Sequence, residues 1–141
     1  MLRYILGVDF GNKRIGLALA QTLTRSATAL TTLPNNSEFF SELNKIIKEW
    51  QIDCIVIGLP LDMDGAEQEI TRQVKNFGKK VTKHTQIQVE YMDERLTSFE
   101  AERQFQNQRA AQLSKAKHKS KIDAMAAQII LQSWLDTLET P

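Results

Sequence analysis

The chain has 141 residues, 18 Lys and Arg against 17 Asp and Glu, a net charge of +1, 42% hydrophobic and 25% charged residues. That balance excludes wholesale disorder and fits one soluble domain, 1–141, large enough to bury a core. No apolar run approaches the roughly 20 residues of a membrane helix, and Asp9 interrupts any signal-peptide pattern at the N-terminus, so a cytoplasmic location is expected.

In chain order, residues 3–9 and 14–20 are apolar runs separated by Gly11-Asn-Lys, a combination that favours a hairpin. Thr-rich alternation over 27–33, closed by Pro34, predicts a third strand. Ser37 is then placed to cap a helix in which Phe40, Leu43, Ile46, Ile47 and Trp50 recur at helical spacing. Residues 53–58 are continuously apolar after Asp53, the pattern of a central strand covered on both faces, and Gly58-Leu-Pro60 ends it. Cys54 lies in that run and reads as a buried packing thiol, which suits a reducing compartment.

A second helix is predicted over about 65–84, with Ile70, Val74, Phe77 and Val81 turned inward. A strand over 87–93 leads into Thr97-Ser-Phe-Glu100, a capping-box spacing that predicts a third helix. The last helix is expected to bury Ile122, Met125, Ala126, Ile129 and Trp134. An N-terminal antiparallel meander followed by β-α-β units gives an α/β fold, a mixed sheet with helices on its faces.

Charge is unevenly spread. Arg109, Lys115, Lys117, Lys119 and Lys121, with His118 among them, form a stretch without acids; setting their five charges against the net +1 leaves the remainder at −4. A short basic segment on a mildly acidic domain suggests a local polyanion contact, against the plainer alternative of a solvated loop.

Three carboxylates stand where backbone elements end or begin: Asp9, the pair Asp93–Glu94, and Asp123 in the first turn of the last helix. An acid inside an apolar run is costly without a neutralising cation. Oxygen ligands lacking His or Cys partners suit Mg²⁺ or Mn²⁺ rather than zinc. Strand alternation puts Asp93 and Glu94 on opposite faces, so only one is expected as a ligand, with Glu94 preferred. Arg95 is then either a salt-bridge partner or a phosphate contact. For Asp123 the competing explanation is stabilisation by the helix macrodipole. Small neighbours Ala124, Ala126 and Ala127 would let this helix approach the sheet. Converging on two cations about 4 Å apart, such acids serve in-line phosphodiester hydrolysis.

Gly11-Asn-Lys-Arg-Ile-Gly16 fails as a phosphate loop, because Leu17 stands where Lys is needed and a strand follows. Lys13 and Arg14 remain candidates for phosphate contact or for a plain solvent-facing turn. His84 and His118 lack metal-ligand spacing.

Val8-Asp-Phe-Gly-Asn-Lys-Arg-Ile-Gly16, Ile57-Gly-Leu-Pro60, Asp93-Glu-Arg-Leu-Thr-Ser98 with Glu100 and Glu102, and Lys121-Ile-Asp-Ala-Met-Ala-Ala127 with Ile130-Leu131 together resemble the YqgF family, also called RuvX, of the RNase H-like superfamily. The resemblance spans nearly the whole chain. It implies an RNase H-like fold, a five-stranded mixed sheet with helices on both faces, carrying catalytic metal-binding acids at Asp9, Glu94 and Asp123. It also implies a bacterial cytoplasmic nuclease that processes the 5′ end of precursor 16S rRNA or, from a likeness to RuvC, a Holliday junction resolvase. Compared with RuvC, the chain has Gly58-Leu59-Pro60 where a Glu is found, and its second acid lies on the next strand.

The resulting expectation is a nuclease with Mg²⁺ or Mn²⁺ at Asp9, Glu94 and Asp123. Nucleic acid, RNA or branched DNA, would be held by Lys13, Arg14, Arg95, Arg109, Lys115, Lys117, Lys119 and Lys121. A non-catalytic nucleic-acid-binding module is the alternative of another class. An ATPase of the actin–hexokinase type is disfavoured, because it needs two such domains.

Overall fold

The computed structural model describes residues 3–96 and 119–138, with 119–121 described by backbone alone. Strands β1 (Tyr4–Asp9), β2 (Arg14–Gln21) and β3 (Ser26–Pro34) form the expected meander. They are followed by α1 (Phe39–Trp50), β4 (Ile52–Leu59), α2 (Glu69–Thr85), β5 (Gln88–Asp93), a 3₁₀ turn (Glu94–Leu96) and α3 (Lys119–Thr137). The sheet order is β3-β2-β1-β4-β5. β1 pairs antiparallel with β2 and parallel with β4, and β4 pairs parallel with β5. The ends of β1, β4 and β5 therefore share one rim, where sites on open α/β sheets gather.

Strand alternation divides the core. Leu6, Val8, Ile15, Leu17, Ile55 and Ile57 pack against Phe39 and Leu43 of α1 and Val74, Phe77 and Val81 of α2. On the other face, Ile5, Ala18, Ala20, Ala27, Cys54 and Val56 meet Ala127, Ile130, Leu131 and Leu135 of α3. Each fully buried Leu or Ile contributes about 1.5–3 kcal/mol. Large side chains keep α1 and α2 at a distance, whereas alanines let α3 sit close. The edge strand β3 is fastened to α3 by side-chain amides. Gln132 Oε1 accepts from Ala27 N at 2.9 Å, and Gln128 Nε2 donates to Ala27 O at 3.0 Å. Backbone groups of an edge strand are thereby satisfied.

Four details differ from the sequence expectations. Ser37 does not cap α1; the preceding turn is closed by Asn36, whose Oδ1 accepts from Glu38 N at 3.0 Å. The second helix starts at Glu69 rather than near 65, because Asp62 Oδ1 takes up the amides of Asp64 and Ala66 in a turn. The last helix begins inside the basic segment at Lys119, which moves Asp123 from the first turn into the second and away from the strongest part of the dipole. Its buried face is Ala124, Ala127, Ile130, Leu131 and Leu135 with Met125, not Ile122, Ala126, Ile129 and Trp134. That helix is apolar on nearly every side, so periodicity gives little guidance. The third helix expected from Thr97 lies outside the described residues.

Candidate active site

Asp9 closes β1 and is paired in register with Gly16 of β2. A Cβ on Gly16 would run into the backbone carbonyl of Asp123. The bare Gly16 is what brings the second turn of α3 onto the sheet beside Asp9. Arg14, two residues earlier, reaches the same turn: its Nε donates to Asp123 Oδ2 at 2.7 Å. Arg14 is therefore engaged with a candidate ligand instead of projecting from a plain turn.

Gly58 plays the corresponding part on β4, between β1 and β5. A Cβ there would lie 2.5 Å from Ile130 Cδ1 and 3.0 Å from Glu94 Oε1. Glu94 thus occupies the space that a side chain at position 58 would fill, on the α3 face of the sheet. A Glu at 58 and a Glu at 94 would compete for one volume.

β5 ends at Asp93, and Glu94 opens the 3₁₀ turn, so turn geometry rather than strand alternation separates the pair. Asp93 is held by Arg95, whose Nη2 lies 2.6 Å from Oδ2 and whose Nε lies 3.1 Å from Oδ1. This fork keeps the Asp93 carboxyl below its usual range, chiefly through the side-chain hydrogen bond from Arg95. Glu94 is half-buried, and burial, then the Asp93 charge, pushes its carboxyl up. Arg95 is the salt-bridge partner of Asp93, and Glu94 faces the rim.

The Asp9 carboxyl is pushed up to about 7, first by burial and then by the charges of Glu94 and Asp123. Asp9 lies within electrostatic reach of both Glu94 and Asp123, and three acids so placed call for cationic charge. Their donor set is all oxygen, which fits a hard divalent ion. Among the described residues, however, no three His, Cys, Asp or Glu side chains are gathered tightly enough to hold one ion, and Asp123 has Arg14 as its cation.

Lys13 is exposed on the β1–β2 turn, where its carbonyl accepts from Asn35 N at 2.9 Å. Arg109, Lys115, Lys117 and His118 lie outside the described residues, and Lys119 and Lys121 belong to the α3 backbone. His84 stacks on Phe40 with ring centroids 4.2 Å apart. Cys54 is buried, and burial followed by the Glu90 charge pushes its thiol up to about 12, as suits a packing residue. No helix among the described residues is long and apolar enough to cross a membrane. Gly16, Gly58 and the role of Arg14 toward Asp123 were missed from sequence; the Asp9–Gly16 hairpin register was the available signal.

A family model described as RuvX, Holliday junction resolvase, matches residues 3–137. An Aeromonas hydrophila protein named "Putative pre-16S rRNA nuclease" is 39% identical over 136 residues, covering 95% of both chains. Proteins of the same name from Colwellia psychrerythraea and Haemophilus ducreyi are 41% and 39% identical, covering 95% and 96% of this chain and 90% and 98% of their own. Among solved structures, Thermus thermophilus RuvC in complex with Holliday junction substrate superposes with a TM-score of 0.57 at 11% identity, covering 94% of this chain and 93% of RuvC. A second T. thermophilus RuvC structure gives 0.54 at 10% identity. At that identity the likeness is one of fold, the RNase H-like arrangement of five strands with helices on both faces. By sequence along nearly its whole length, the chain belongs to the RuvX family.

Proposed function

We propose that this protein is a metal-dependent nuclease that hydrolyses phosphodiester bonds in RNA, acting at the 5′ end of precursor 16S rRNA. The observation that carries the proposal is the meeting of three acids from distant segments at one rim: Glu94 fills the space over Gly58, Gly16 seats the Asp123 turn on β2, and burial, then the charges of Glu94 and Asp123, push the Asp9 carboxyl up to about 7. Asp9, Glu94 and Asp123, although not gathered tightly around one ion and with Asp123 paired to Arg14, would supply the all-oxygen donors for Mg²⁺ or Mn²⁺. When bound, such ions supply an activated water and neutralise charge on the leaving oxygen. The chain's own contribution is to fix the acids on rigid elements: Asp9 on β1, Glu94 over Gly58, and Asp123 on α3 through Gly16. Lys13, exposed on the β1–β2 turn, would contact the sugar–phosphate backbone, and the sequence alone suggests the same part for the lysines and arginine of 109–121. The names of the relatives support RNA as substrate.

The family description favours a second substrate, a branched DNA junction. One experiment compares them: purified protein with Mg²⁺ or Mn²⁺ is given precursor 16S rRNA, a four-way DNA junction and single-stranded controls. Cleavage of the precursor, lost in Asp9→Asn with the fold intact, is the expected result. Cleavage of the junction alone would replace the substrate, and full activity in Asp9→Asn would overturn the site.

A further inference from the structure

A cleft of about 350 Å³ opens at the same rim on the opposite, α1/α2 face of the sheet. It is lined by Phe10, Phe39, Phe40 and Phe77, by Asn12, Asn35, Asn36, Gln73 and Asn76, and by Lys80. Its volume is at the small end of the roughly 300–1,000 Å³ of ligand clefts, enough for one planar ring system. Five amide side chains around an aromatic floor form an unusual lining. Phe10 packs on Phe77 with centroids 4.7 Å apart, and Phe40 lies nearly parallel to Phe77 at 6.2 Å.

The amides are not equivalent. Asn35 Nδ2 donates to Gly11 O at 3.0 Å, and Asn36 Oδ1 accepts from Glu38 N at 3.0 Å, so both serve the local backbone. Gln73 differs: its Oε1 is buried with no hydrogen-bond partner. A buried acceptor left unpaired is costly, and a site that ordinarily receives a donor accounts for it. Asn12 and Asn76 are exposed at the cleft.

We propose that this cleft receives one unpaired nucleobase of the nucleic acid bound at the rim, stacked on the phenylalanines with its hydrogen-bonding edge met by Asn12, Gln73 and Asn76. The base site rests on the nucleic-acid function argued above and adds to it a preference for single-stranded or distorted segments. Asp9 and Phe10 are consecutive. Asp9 lies near Glu94 and Asp123 on the α3 side, while Phe10 packs into the α1/α2 core. A strand crossing this rim would present a phosphate to the acids and an adjacent base to the cleft, with Lys80 at its edge. Aromatic floors bind bases of any sequence through their π faces, and amides offer both donors and acceptors to a base edge.

The test uses the full chain carrying Asp9→Asn, so that bound RNA stays intact, and a single-stranded RNA hexamer with one 2-aminopurine. Binding is expected to change the probe's fluorescence at one position. In the same background Asn12→Ala with Asn76→Ala is expected to weaken hexamer binding roughly tenfold, the loss of two ordinary hydrogen bonds, and to leave binding of a blunt RNA duplex unchanged. Both asparagines are exposed, so the fold tolerates the change. Equal effects on hexamer and duplex, no effect on either, or a probe that never responds would overturn the base site. The unsubstituted chain reports separately on the nuclease: a responding probe without any cleavage would overturn that function and leave the base site standing.

Discussion

Arg14 Nε donates to Asp123 Oδ2 at 2.7 Å, so one of the three rim acids is paired with a cation of the chain itself. Both side chains are partly exposed, at 39% and 27%, which limits the pair to about 1 kcal/mol or less. A divalent ion and Arg14 compete for the same carboxylate. Arg14→Gln is therefore expected to tighten Mn²⁺ binding by up to roughly fivefold, the equivalent of that pair, in a calorimetric titration at low salt. Unchanged or weaker binding would show that Arg14 positions Asp123 rather than competing for it.

The raised Asp9 carboxyl has a defined consequence for metal-free protein. Below about pH 4 the folded and unfolded states both carry the proton. Between about pH 4 and 7 the unfolded chain ionises while the folded one keeps its proton, so stability falls as pH rises and levels off above about 7. The upper bound on this loss is about 4 kcal/mol. Thermal melts in chelator should show the fall, and Asp9→Asn should flatten it. A curve of identical slope in the variant would mean that Asp9 is not the titrating group.

Adding Mg²⁺ or Mn²⁺ should reverse that loss, because an ion bound only by the folded state stabilises by about 2.7 kcal/mol at a hundredfold excess over its Kd. The increase in melting temperature should vanish in Glu94→Gln and persist in Asp93→Asn, since Asp93 is already held by Arg95. Loss in Asp93→Asn alone would exchange the two roles.

Gly16→Ala is expected to push α3 away from β2, since its Cβ has no room beside the Asp123 carbonyl. Overpacking of this kind costs about 1–3 kcal/mol. Divalent binding should fall more than stability, because displacement of α3 carries Asp123 with it. Retained metal affinity in a destabilised Gly16→Ala protein would separate Asp123 from the site.

Much of the fold was legible because the strands carry clean patterns: β4 is a continuous apolar run, and the β1–β2 hairpin has its turn residues. Asp9, Glu94 and Asp123 were legible as acids out of place in apolar surroundings and through the resemblance. The face of α3 was not, because Ala, Met, Ile and Leu surround that helix and contact with the sheet alone selects which are buried. The start of α1 was misread at Ser37 because Asn36, one residue earlier, offered the better acceptor. Gly16 and Gly58 could not be valued from sequence, since what matters is the atom each would collide with, contributed by residues 107 and 72 positions away. The aromatic cleft was hidden for the same reason: Phe10, Phe40 and Phe77 come from the β1–β2 turn, α1 and α2.

The most direct test is Mn²⁺ binding followed by electron paramagnetic resonance on the parent and on Asp9→Asn, Glu94→Gln and Asp123→Asn, each checked for its fold. If the three carboxylates share the cation site, every variant should lose at least about tenfold in affinity, the loss of one charged contact of roughly 1.5 kcal/mol or more. A variant that binds Mn²⁺ as tightly as the parent would remove its acid from the site and contradict the account.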